Sequence, residues 1–114
     1  VISEQGDGRG VPKVNVLVLG RERHLVDAST TIIEENGFRA VGVTRDDEAF
    51  ALLDTGQFAA VLVGSGVEFA SRPPVKLHAA PHGTVVLEAQ RVSMQTVQEH
   101  VRDVIVPQLR RLTD

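Results

Sequence analysis

Apolar residues in this chain fall into blocks that alternate between two periods. Val14-Asn15-Val16-Leu17-Val18-Leu19 is almost unbroken and stops at Gly20, the pattern of a strand buried on both faces of a sheet. Over residues 24–36, Leu25, Ala28, Ile32 and Ile33 recur at helical spacing, and Gly37 stands where a left-handed C-cap belongs. Residues 38–43 predict a second strand. Thr44 with Asp47 three residues on approximates a capping box. It opens a helix that runs through Leu53, closes by Gly56 and turns Ala49, Phe50 and Leu53 inward. Residues 58–63 predict a third buried strand, ended by Gly64-Ser65-Gly66, and residues 84–87 a fourth, after the turn Pro81-His82-Gly83. A short helix around residues 74–80 fits between these two.

Strands separated by helices make successive right-handed crossovers, and hence a parallel sheet covered on both faces. The last third admits two readings. Val97, Val101, Val104, Ile105, Gln108 and Leu112 share one helical face behind the capping-box pattern Thr96-Val97-Gln98-Glu99, which predicts one long helix kinked at Pro107. Alternatively, Val104-Ile105-Val106-Pro107 is a fifth strand followed by a clipped helix. The long helix is preferred because a one-turn stub would cover little of a sheet face. It leaves Val106 and Leu109 outside the sheet-facing stripe. Together with the open edge of strand four, they are the candidate surface for a protein partner or a homodimer through the C-terminal segment.

From residue 13 to residue 87 the order of elements resembles the receiver domain of bacterial response regulators. The closest likeness is Gly37-Phe38-Arg39-Ala40-Val41, then Asp46-Asp47-Glu48-Ala49-Phe50-Ala51-Leu52-Leu53, then Phe58-Ala59-Ala60-Val61-Leu62-Val63. The resemblance implies a flavodoxin-like three-layer α/β sandwich with a parallel sheet of strand order 2-1-3-4 and a possible fifth strand. A receiver's phosphate switch needs an acidic pair after strand one, an acceptor aspartate ending strand three, a Ser or Thr ending strand four and a lysine ending strand five. Gly20 and Arg21, Gly64, Glu88 and Val106 stand in those places, with Glu22 the nearest acid to the first pair. The resemblance thus implies a pseudo-receiver: a non-catalytic, phosphorylation-independent signalling or regulatory interaction domain without a cofactor.

Composition narrows the function classes further. With 114 residues the chain supports one ordinary core, taken as residues 13–114. Residues 1–12, with Gly6, Gly8 and Gly10 and no apolar period, are taken as a flexible leader. The first residue is valine, so the chain is expected to be a piece of a longer polypeptide. It has no cysteine, which excludes thiolate catalysis and Cys-based metal sites. A net charge of −3 with interspersed signs and neither Trp nor Tyr argues against nucleic-acid binding by this chain alone. No apolar run approaches the ~20 residues of a membrane span, and a cytoplasmic, soluble protein is expected.

Ligands of open parallel sheets settle beyond the carboxyl ends of the strands. Here that edge offers Gly20, Arg21, Glu22, Gly64, Ser65, Gly66, Glu88 and Arg91. Glycine amides beside an arginine could receive an anion, which makes a small-molecule or anion site the alternative function. The competing reading makes the glycines turn residues and pairs Arg21 with Glu88 or Glu22. His78 and His82 are four apart, but Pro81 breaks the helix that would align them for a metal. His24 and His100 read as surface or boundary residues. Ser65 lacks the Gly-x-Ser-x-Gly elbow of a hydrolase nucleophile, and no catalytic constellation is predicted.

Overall fold

β1 (Asn15–Leu19) lies between β2 (Arg39–Val43) and β3 (Ala60–Val63), with β4 (Val85–Glu88) outside β3. This computed structural model describes residues 14–89 and 96–113. All three pairings are parallel, and the order β2-β1-β3-β4 is the expected 2-1-3-4. α1 (Arg23–Glu35), α2 (Asp46–Leu53) and α3 (Arg72–Ala79) occupy the crossovers. The chain has the flavodoxin-like α/β fold. No helix among the described residues is long and apolar enough to cross a membrane.

Two cores follow from the period-two alternation of β1 and β3. Val16, Val18, Ala60 and Leu62 face α1 and the C-terminal helix, where Val26, Ile33, Val101 and Leu109 meet them. Leu17, Leu19, Val61 and Val63 face the other way, onto Ala49 and Leu53 of α2 and Val75 and Ala79 of α3. Val41 lies beside Leu17 on that second face but is 42% exposed. It sits on an edge strand that α2 does not fully cover. Gly37, Gly56 and Gly83 all adopt positive φ, as their turn positions require.

The helix boundaries depart from expectation in two places. α2 starts at Asp46 with Arg45 as its N-cap, and no side chain caps it. Thr44 and Asp47 therefore form no capping box. Asp47 instead takes the Arg45 guanidinium, at 3.0 and 2.9 Å. α3 is flanked by two 3₁₀ turns, Phe69–Ser71 and Ala80–His82, so the helical segment begins earlier than its sequence signal, with Pro73 and Pro74 accommodated in its first turn.

No fifth strand forms where one was considered: α4 (Val97–His100), a π-helical turn (Val101–Ile105) and α5 (Val106–Thr113) run on as one helical segment. Thr96 and Glu99 close the anticipated capping box, at 3.0 and 2.9 Å. The π turn removes Val106 and Leu109 from the candidate interaction surface. Proline at 107 has no N–H, and its ring crowds the carbonyl four residues back. The preceding turn widens, and the Val106 N–H reaches the Val101 carbonyl, five residues away. One extra residue in the turn withholds ~100° of rotation from everything downstream. Val106 and Leu109 consequently face the sheet, 3% and 0% exposed, whereas Leu112 turns outward to 41%. Leu109→Ala is therefore expected to cost about 2–5 kcal/mol and Leu112→Ala about 0.5 kcal/mol in urea denaturation. Equal, small losses would show that this helix does not pack on the sheet in solution.

Candidate functional site

Leaving the sheet, β1 and β3 end side by side in Gly20 and Gly64, and the chain then turns in opposite directions, toward α1 from one and toward α3 from the other. This is the point where strand order reverses, the usual ligand crevice of such sheets. A cavity of about 130 Å³ lies there. Of the predicted strand-end residues, Gly20, Arg21, Glu22, Gly64, Ser65 and Gly66 all line it. Its remaining walls are mostly apolar: Val18, Leu25, Val26, Leu62, Ala89 and Val97, with Val101 where the π turn begins. His100, 4% exposed, lines it too, so this histidine is interior rather than at the surface. Its position on a half-apolar helical face gave little warning of that.

Glu88 is not among the residues that line the cavity. In register it pairs with Val63, whose side chain faces α2 and α3, and alternation sends Glu88 to the same side. There Arg72 meets it at 2.7 Å and Lys76 at 3.3 Å. Arg72 also donates to the Val67 and Gly64 carbonyls, tying down the loop after β3. The sequence reading missed Arg72, because nothing local marks a residue whose partners lie in other elements. Arg91 lies outside the described residues.

Arg21 is committed elsewhere. Its guanidinium donates to Asp46 at 2.7 Å, Glu68 at 2.8 Å, the Thr44 carbonyl at 2.9 Å and the Ser71 hydroxyl at 3.2 Å. The expected partners Glu88 and Glu22 are not among these. Ser71 donates in turn to Asp46 at 2.6 Å, so one cluster joins the ends of β1 and β2 to the loop before α3. Burial pushes the Asp46 carboxyl up, but its bonds to Ser71 and Arg21 outweigh this and hold it below the usual carboxylate range. The Arg72 and Lys76 bonds likewise hold Glu88 low.

The glycine amides are also spoken for. Gly20 N–H donates to the Val43 carbonyl and Gly64 N–H to the Leu19 carbonyl, so neither is available to an anion. Among the described residues, the Ser65 and Gly66 amides have no backbone acceptor. A Cβ on Gly20 would come within 2.8 Å of Val26 Cγ2, which makes glycine a packing requirement at that strand end.

The histidine pair does not assemble. His78 stacks on Phe50 at 4.5 Å and bonds Asp54 at 2.7 Å, whereas the His82 ring lies against Gly56. No cluster of three or more His, Asp or Glu that could hold a metal occurs among the described residues. His24 is exposed beside Glu22. No protein-family model, curated protein or solved structure matches this chain.

The Arg21 cluster has a measurable acid signature. A carboxyl held low in the folded state stabilises it above the ordinary carboxylate range, and that contribution is lost as pH falls through the folded value. Asp46 is a third exposed, and solvent screening limits its worth to about 1 kcal/mol. Asp46→Asn is expected to lower stability by that amount near neutral pH and to flatten its decline below about pH 4. Parallel acid profiles for the two proteins would show that the carboxylate is uncoupled from folding.

Proposed function

We propose that this chain is a receiver-like, non-catalytic interaction domain that works without phosphorylation. One observation carries the reading: Arg21 and Glu88, at the strand ends where a phosphate switch would operate, are each paired inside the chain. Arg21 is held by Asp46 and Glu68, and Glu88 by Arg72 and Lys76. Gly64 stands where the resemblance puts the phosphate acceptor, and it has no side chain to modify. Magnesium needs carboxylate oxygens in near-octahedral array. Asp46, Glu68 and Glu88 face arginine and lysine instead.

A module of this kind acts through its surface. Because Val106 and Leu109 are buried, the exposed apolar residues of the 3₁₀ turn and α3 after β3 replace them as candidates. Phe69 is 86% and Leu77 73% exposed, eight residues apart with exposed Pro73 midway. A protein partner reading this stripe is the interaction proposed, in place of contact through the C-terminal segment.

Two measurements test these statements separately. Beryllofluoride with magnesium is expected to leave the amide spectrum unchanged. Saturable, magnesium-dependent shifts at Gly20 and Gly64 would instead show a working phosphoryl site. Phe69→Ser and Leu77→Ser are expected to change stability by no more than about 0.5 kcal/mol each in thermal or urea unfolding, since neither side chain contributes to a core. A loss of several kcal/mol would mean that the stripe is structural rather than an interaction surface.

A further inference from the structure

We propose that the cavity between the ends of β1 and β3 is a binding site for a small uncharged molecule with a compact hydrocarbon body and one carbonyl or hydroxyl oxygen. The inference goes beyond the interaction reading and stands on the cavity alone.

Size sets the first limit. At about 130 Å³ the space is far below the ~300 Å³ where sites for drug-sized ligands begin. It is close to the ~150 Å³ apolar cavity that accepts benzene. The enclosed space therefore holds a body of only a few heavy atoms.

Charge sets the second. An anion would need Arg21 or converging amides. The guanidinium is shared between two carboxylates and the Gly20 and Gly64 amides already bond within the sheet, which leaves an anion only the Ser65 and Gly66 amides, with no unshared Arg or Lys among the lining residues. Glu22 and Glu68 stand near the approach with side chains largely exposed, so the rim repels negative charge. A cation would exchange its hydration for walls of Val18, Leu25, Leu62, Val97 and Val101, with only Glu22 as an acidic lining residue. Moving a charge into such surroundings costs far more than moving a neutral group.

Hydrogen bonding sets the third. Among the described residues the Ser65 and Gly66 amides have no backbone acceptor, and both residues line the cavity. A single ligand oxygen can accept from that loop while the hydrocarbon body displaces water from the valine and leucine surfaces. Gly66 has open space where a Cβ would stand, so no neighbouring group closes over the loop there.

Isobutyramide and isobutyrate have nearly the same shape and differ in charge, which makes them the probes of choice. In amide-resolved NMR titrations of the whole chain, isobutyramide is expected to give saturable shifts at Gly20, Gly64, Gly66 and Val101. Isobutyrate should bind at least about tenfold more weakly. Filling the space with Val97→Phe, or with Leu25→Phe should the first variant fail to fold, is expected to abolish the isobutyramide shifts. Absence of saturable shifts would overturn the site. Isobutyrate binding as tightly as the amide would overturn the ligand class. Shifts that survive in a folded cavity-filled variant would place binding elsewhere. None of these results depends on whether beryllofluoride binds, so this inference and the interaction reading fail separately.

Discussion

Everything in this molecule depends on burying β1 and β3 on both faces. The side chains from Val16 to Leu19 and from Ala60 to Val63 are shut off from solvent, and each of these strands is hydrogen-bonded on both flanks. A strand in that position cannot carry a polar side chain without a partner for it. Helices must cover both faces. Polar chemistry is then confined to the residues just past the strand ends, where the backbone leaves the sheet and side chains regain access to water.

The same alternation divides that edge into two compartments of different character. Leu19, Val63 and Glu88 belong to the α2 and α3 side, whereas Val18, Leu62 and Ala89 belong to the side of α1 and the C-terminal helix. Charge collects in the first compartment, where Arg72, Lys76 and Glu88 satisfy one another and Arg21 reaches Asp46. The second is left nearly apolar. Val97, His100 and Val101 of the C-terminal helix line it, the last at the start of the widened turn.

What was legible in the sequence was whatever a local period encodes. The four strands, the parallel order, the glycine turns and the Thr96–Glu99 cap could be read because each rests on residues within a few positions of one another. The strand-end set was legible to the extent that fold topology assigns it, and six of its members meet at the cavity. Glu88 was misplaced because strand-end position was considered without the face to which alternation sends a side chain. Val106 and Leu109 were misplaced because an ideal 3.6-residue helix was drawn through a proline, and one π turn is enough to exchange buried and exposed positions beyond it. Arg21 and Arg72 find their carboxylates 25 and 16 residues away, and no local pattern carries such pairings.

Glycines at the ends of parallel strands have two opposed physical meanings. They can free the backbone to approach a phosphate, or they can let a helix pack tightly on the strand it follows. The hydrogen bonds decide which applies. In this chain the Gly20 and Gly64 amides are used inside the sheet. A Cβ at position 20 would press on Val26, and one at position 64 would lie 3.3 Å from the Leu19 carbonyl oxygen. Restoring carboxylates at these places would therefore demand movement of α1's first turn and of the β1 end, beyond a change of side chain. Packing thus opposes a side chain at either strand end, through the Val26 side chain at one and the Leu19 carbonyl at the other, and the volume left over lies on the apolar side.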